Sequence, residues 1–186
     1  FDVDGVLTDG RIYMLPDGQE QKTFHSRDGL GIRLLLRHGI EVAVISGRRS
    51  PLVDARMRAL GVEHVFQGND DKLPVYEQLL ARLGISPAHS VYVGDDLIDL
   101  PVMARAGLAI AVADAHPAVR AQAHWLTSSP GGHGAGRECC DLVLAAKQLL
   151  DGIVEAYRLG TAERQHAAAS THVPVEPAPN PPRSGH

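Results

Sequence analysis

Two periodicities alternate along most of the chain. Apolar residues recur at helical spacing over residues 30–38, 50–60 and 73–83, and a glycine follows each stretch (Gly39, Gly61, Gly84). Glycine there is a common helix stop, because it takes a left-handed backbone without penalty. Between and after these helices lie short apolar runs at residues 40–45, 62–66, 90–93 and 108–112. Runs of that length, continuous rather than alternating, suit strands buried on both faces. A further helix is expected over residues 97–106, interrupted or restarted at Pro101. A short helix follows Pro117, an extended piece covers residues 124–127, and a last helix is expected from about Arg137 to Tyr157. Residues 11–15 and 20–24 flank Pro16-Asp17-Gly18, which is the pattern of a β-hairpin with a tight turn, expected to expose Ile12, Met14 and Phe24. Strand–helix alternation predicts a doubly wound α/β fold with a mostly parallel sheet and helices on both faces.

Such a sheet binds ligands beyond the carboxyl ends of its strands, and the reactive residues gather there. The chain opens Phe1-Asp2-Val3-Asp4-Gly5-Val6-Leu7-Thr8. On extended backbone, residues two apart share a face, so Asp2 and Asp4 can converge on one point. Ser46-Gly47-Arg48 follows the strand that ends at Ile45, Lys72 opens a helix, and Gly94-Asp95-Asp96 follows residues 91–93. One sheet edge thus collects carboxylates, a hydroxyl and an ammonium. Each alone has an ordinary explanation. Asp2 and Asp4 fit a solvated turn, Ser50-Pro51 fits a helix cap, and Asp96 or Asp99 can cap the next helix. Four groups in order at one edge need a chemical reason.

Phosphate esters supply one. A carboxylate nucleophile is repelled by an anionic ester unless a cation intervenes. Mg²⁺ held by Asp2, Asp95 and the Asp4 backbone carbonyl would cancel that repulsion. Lys72 neutralises further charge, and Ser46 with the Gly47 amide can donate to phosphoryl oxygens. Asp4 can protonate the leaving alkoxide and then activate water against a phosphoaspartate on Asp2.

Composition narrows the field. With 186 residues, 44% hydrophobic and 22% charged, the chain fits one globular domain with a sizeable core. A net charge of −4 gives no electrostatic case for nucleic acid or anionic membrane. No apolar run approaches a membrane span. The adjacent Cys139 and Cys140 do not form a disulfide framework and point to a reduced, cytoplasmic compartment. The ten histidines are scattered without metal-ligand spacing. Residues 161–186 hold five of the twelve prolines and few large apolar residues, so a domain over 1–160 and a disordered tail are expected.

The ordered set Asp2-x-Asp4-Gly5-x-x-Thr8, Ser46-Gly47-Arg48, Lys72 and Gly94-Asp95-Asp96 with Asp99 resembles the haloacid-dehalogenase-like phosphatase superfamily, from Phe1 to Tyr157. Dehalogenases lack an acid/base at the position of Asp4 and ion pumps carry Thr there, so the resemblance implies a phosphatase or phosphomutase. A nearer resemblance is to the 3-deoxy-D-manno-octulosonate 8-phosphate phosphatase family. It rests on residues 4–10, Arg27-Asp28-Gly29-Leu30-Gly31-Ile32-Arg33, residues 92–99 and 112–117, and Gly131-Gly132-His133-Gly134-Ala135-Gly136-Arg137-Glu138. It implies Mg²⁺ dependence, no cap domain, a homotetramer built through the hairpins, and sites closed by neighbouring subunits. It implies sugar-acid contacts at His25, Ser26, Arg27, Asp28, Gly29, Arg33, Arg48 and Arg56. Many relatives carry Asn-Val where this chain reads His25-Ser26. Arg137 is a further candidate for the substrate carboxylate, because a guanidinium grips a carboxylate through two bonds. By the resemblance, an apolar strand should lead into Asp2, so residues preceding Phe1 are expected.

The spacing agrees with a capless domain. Between Asp4 and Ser46 there is room for a hairpin, a helix and a strand, and between Lys72 and Asp95 for one helix and one strand. Two other readings compete. One is a phosphatase for a nonulosonic acid 9-phosphate, which shares a carboxylate and a deoxy carbon with the octulosonate. The other is a receiver-like module that keeps its phosphoryl group. Asp4, two residues after Asp2, favours hydrolysis.

Overall fold

The computed structural model describes residues 1–162. Within them β3 (Ala43–Ser46) pairs in parallel with β4 (His64–Gln67), after the hairpin of β1 (Tyr13–Met14) and β2 (Glu20–Gln21). β5 (Val91–Gly94), β6 (Leu108–Ala111) and β7 (Trp125–Leu126) form a second parallel group. The N-terminal residues join the two groups. The Phe1 carbonyl accepts from the Ile45 amide at 3.0 Å, and the Asp2 amide donates to the Val93 carbonyl at 3.0 Å. Phe1 and Asp2 thus run between β3 and β5, where the sequence places the central strand. Val3, Val44, Val93, Ala109 and Ile110 are buried along this line.

Helices α1 (Ser26–Arg37), α2 (Pro51–Leu60), α3 (Leu73–Leu83), α4 (Leu100–Met103), α5 (Pro117–Gln122) and α6 (Ala135–Ala146) fill the connections. Ser50 caps α2 as expected, its hydroxyl accepting from the Leu52 amide at 3.3 Å, with Pro51 at the first helical position. α2 and α3 end on left-handed Gly61 and Gly84. α1 and α6 lie together closely. A side chain on Gly31 would enter Cys140, its Cβ meeting that residue's Cβ at 2.9 Å.

Three expectations need correction. α1 begins at Ser26, ahead of Leu30, because the His25 imidazole caps it by accepting from the Arg27 amide at 3.2 Å. The long last helix is two. α6 closes when the Lys147 and Gln148 amides bond to Val143 and Ala145, and Gln148 takes φ 58°, unusual for a residue other than glycine. A separate unit begins at Leu149, and its helix α7 (Leu150–Arg158) is amphipathic with Ile153 and Ala156 buried. Phe24, expected on the exposed face of the hairpin with Ile12 and Met14, is half-buried under the Arg56 guanidinium at 6.0 Å. Ile12 and Met14 are indeed exposed, at 57% and 61%. Among the described residues no helix is long and apolar enough to cross a membrane. The expected disorder of the tail falls, from residue 163 onward, outside them.

Candidate active site

The carboxyl ends of β3 and β5 and the N-terminal segment deliver Ser46, Asp95, Asp2 and Asp4 to one edge, and the start of α3 delivers Lys72. Past Asp2 the chain leaves the extended path and coils. The amides of Leu7 and Thr8 both donate to the Val3 carbonyl, at 2.9 and 3.0 Å. Gly5 takes φ 98° in this coil, and a Cβ there would come within 2.1 Å of Asp95 Oδ2. The Asp95 carboxylate therefore rests directly on the Gly5 backbone.

Lys72 is 1% exposed. A lysine is buried only when paired, and its Nζ donates to Asp2 Oδ1 at 2.7 Å and to Asp99 Oδ1 at 2.8 Å. Burial alone would lower its pKa, but the two carboxylates outweigh it and raise it. Asp99, wholly buried, accepts four bonds: Lys72 and the Tyr92 hydroxyl (2.7 Å) on Oδ1, the Asp95 and Asp96 amides (2.9 and 3.2 Å) on Oδ2. It is both the helix-capping residue that the sequence suggests and the group that aims Lys72. Tyr92 is held neutral, its pKa raised by burial and by the neighbouring Asp99 and Asp2 charges.

Asp2, Asp95 and Asp99 each place an oxygen within 4.8 Å of the others. One lysine does not balance three carboxylates. Burial, then the Asp2 and Asp99 charges, push Asp95 up to about 8, and burial raises Asp2 despite Lys72. Asp95 Oδ1 is buried without a hydrogen-bond partner. A divalent cation supplies the missing charge and engages that oxygen, so these residues fit Mg²⁺. Asp99 has its oxygens already committed, so Asp2 and Asp95 are the carboxylates that could hold the ion.

The remaining predicted residues are distributed around this edge. Ser46 is buried, and the Gly47 backbone approaches Asp70, whose Oδ1 would lie 2.7 Å from a Cβ on Gly47. Arg48 pairs through Nη2 with Glu20, and its Nε lies 3.9 Å from Asp4 Oδ2. His25, Asp28, Gly29 and Arg56, with Phe24 and Leu7, line a small cleft beside the edge. In it Asp28 is buried, Oδ1 accepting the Arg137 amide at 2.9 Å and Oδ2 unpartnered. Ser26, Arg27 and Arg33 are exposed on α1. The Arg137 side chain turns to Asp141, Nε to Oδ1 at 2.7 Å, rather than to the acidic centre.

Residues 131–134 are packed rather than loose. The Gly132 amide donates to the Val6 carbonyl at 3.0 Å, and a Cβ on Gly131 would sit 1.7 Å from the Gly5 carbonyl oxygen. Glu138 holds the approach to this segment by accepting the Ser128 and Ser129 amides at 2.7 and 2.8 Å.

Comparison with known proteins matches this geometry. Residues 60–137 match the haloacid dehalogenase-like hydrolase family. Over 151 residues the chain is 53% identical to the 3-deoxy-D-manno-octulosonate 8-phosphate phosphatase of Yersinia pestis, covering 81% of each. The chain belongs to the 3-deoxy-D-manno-octulosonate 8-phosphate phosphatase family. Among solved members of that family, the Moraxella catarrhalis enzyme in complex with magnesium, phosphate and KDO superposes with TM-score 0.82 at 42% identity, over 84% of this chain and 90% of that one. The cobalt-bound Haemophilus influenzae enzyme gives 0.77 at 42% identity, over 80% and 87%.

Two residues at this edge were not singled out for the site from the sequence. Lys22 pairs with Asp4 Oδ1 from the hairpin. Tyr92 reads in the sequence as one more apolar position of β5. Only the alternation of Glu20, Lys22 and Phe24 carries a signal for the lysine.

Proposed function

We propose that this chain is a Mg²⁺-dependent phosphoric monoester hydrolase that converts 3-deoxy-D-manno-octulosonate 8-phosphate to the free sugar acid and phosphate, for lipopolysaccharide precursor synthesis. The observation that carries this reading is the buried Lys72 bridging Asp2 and Asp99 beside the orphaned oxygen of Asp95. Family membership supports the substrate.

Asp2 is the nucleophile. Lys72 fixes the rotation of its carboxylate, and attack on phosphorus forms the phosphoaspartate as the bond to the sugar oxygen breaks. Asp4 gives its proton to the departing alkoxide. It then takes one from the water that attacks phosphorus and releases Asp2. Ser46, the Gly47 amide and Lys72 receive the phosphoryl oxygens. Asp2, Asp95 and the Asp4 carbonyl would hold Mg²⁺, which would supply positive charge against the phosphoryl oxygens. His25, Ser26, Arg27, Asp28, Gly29, Arg33, Arg48, Arg56 and Arg137 are the set from which the sugar acid draws its contacts, some across a subunit boundary. The enzyme works in the cytoplasm as a homotetramer, with the exposed Ile12 and Met14 covered by neighbouring hairpins. Catalysis is assigned to the unit Phe1–Gln148; the boundary at 160 expected from the sequence would add α7, which belongs to the separate unit.

Phosphate release from the octulosonate 8-phosphate and from a nonulosonic acid 9-phosphate, at matched concentration, tests this. Faster turnover of the former is expected, lost with chelator and in Asp2→Asn. Chelator-resistant release, or preference for the 9-phosphate, would overturn it. Light scattering of the same sample should give four chains per particle.

A further inference from the structure

The hairpin carries one inner face. From Glu20 to Phe24 the exposure alternates, with Glu20, Lys22 and Phe24 turned inward and Gln21 and Thr23 turned to solvent. Each inward residue meets a different group of the site: Glu20 meets Arg48, Lys22 meets Asp4, and Phe24 lies under Arg56. From Gly10 to Gln19 every residue is exposed, so the segment from Glu20 to Phe24 makes the hairpin's contact with the edge.

Lys22 is the most deeply placed of the three. Its side chain is 6% exposed and its Nζ is paired with Asp4 Oδ1. Lysine loses much side-chain freedom and hydration on burial, so a position that keeps it buried needs a charged partner. Asp4 is held from two further sides. The Thr8 hydroxyl reaches Oδ1 at 3.5 Å, and Arg48 Nε stands 3.9 Å from Oδ2, which has no hydrogen bond of its own. The ammonium and the hydroxyl both engage one oxygen, which leaves the second oxygen, also buried, without a hydrogen bond.

We infer that Lys22 is a positioning residue for proton transfer: its ammonium clamps Asp4 Oδ1 and so presents Oδ2 to the leaving oxygen of the ester. This rests on the acid/base role given to Asp4 above. Proton transfer depends steeply on the placement of the donor. The clamp requires no contact between Lys22 and substrate.

The requirement for a general acid depends on the leaving group, and this gives the test. An alkoxide leaves poorly without a proton, whereas p-nitrophenolate leaves well without one. kcat/KM, which covers the steps through release of the alcohol, is compared for Lys22→Met, Lys22→Arg and the parent. The esters are the sugar acid phosphate, glycerol 3-phosphate and p-nitrophenyl phosphate, all with saturating Mg²⁺. Lys22→Met is expected to lose about 10- to 100-fold on both alkyl esters and less than about 3-fold on the aryl ester. Lys22→Arg should recover most of the loss, and the melting temperature should stay near the parent's. Equal losses on all three esters would make Lys22 a phosphate contact or a structural residue. A loss confined to the sugar acid would make it a contact to the carboxylate. No loss, or unfolding of both variants, would also overturn the inference. A parent chain inactive on every ester would overturn both the functional reading and this one, and is distinguished from the other outcomes by that parent measurement.

Discussion

Asp99 Oδ1 receives the Lys72 ammonium at 2.8 Å with both side chains sealed from water. The contact makes the lysine's position a property of the core rather than of a flexible stem. Removing one partner of a buried pair leaves an uncompensated charge, which costs about 3–5 kcal/mol. Asp99→Asn replaces one accepting oxygen by a donor that faces either Lys72 and Tyr92 or two amides. We expect a loss of about 3 kcal/mol in urea unfolding and severe loss of phosphate release. A variant with parental stability would show that the four bonds to Asp99 are replaceable.

Magnesium should stabilise the protein, and more so at high pH. Asp95 holds its proton to about 8 in the folded chain, against an ordinary 3.8. Between those values the folded state binds more protons than the unfolded one. The metal-free protein therefore keeps this stabilising contribution below about pH 4 and loses it progressively up to about pH 8. Bound metal competes with that proton and supplies charge in its place. Melting curves with Mg²⁺ and with chelator, at pH 5 and pH 8, should show the larger upward shift at pH 8. Equal shifts would mean that Asp95 is not the group the metal meets.

Gly131→Ala should be far more harmful than Gly18→Ala. The first Cβ would fall 1.7 Å from the Gly5 carbonyl oxygen, backbone against backbone in the coil that follows Asp2. The second meets nothing within 4 Å, although φ 82° strains it. Denaturant unfolding should separate them, with about 1 kcal/mol for Gly18→Ala and collapse of both stability and turnover for Gly131→Ala.

Arginine contacts to the sugar acid should separate by position. Arg48 stands 3.9 Å from Asp4, whereas Arg137 is engaged by Asp141. A lost charge-assisted bond is worth about 1.5–3 kcal/mol. Arg48→Ala should therefore lower kcat/KM on the sugar acid phosphate by about 10- to 100-fold, with a smaller effect on p-nitrophenyl phosphate. Arg137→Ala should cost less on the sugar acid. The reverse order would mean that Arg137 leaves Asp141 when substrate binds.

The sequence made the sheet edge readable because strands and glycine-stopped helices announce themselves by period. That period is what places Asp2, Asp4, Ser46, Lys72 and Asp95 at one edge. It was less informative where one residue serves two ends. Asp99 looked like a helix cap, and it is one, but the bond to Lys72 spans 27 positions of chain. Nothing local marks that pairing. Gln148 ends α6 without Gly or Pro, so the break was invisible to pattern. The roles of Lys22 and Phe24 depend on which way a short hairpin folds back, which its own alternation does not determine.

Phe1 holds β3 by two backbone bonds, to the Ala43 carbonyl at 2.8 Å and from the Ile45 amide at 3.0 Å, and the Asp2 amide holds β5 through the Val93 carbonyl at 3.0 Å; Asp2 is also the proposed nucleophile. The residue proposed to perform the reaction is thus a stitch in the seam between the two halves of the sheet. If the halves part, the nucleophile loses its footing at the same moment. Heat inactivation and loss of the central sheet should then be a single event, with no folded but silent species between them.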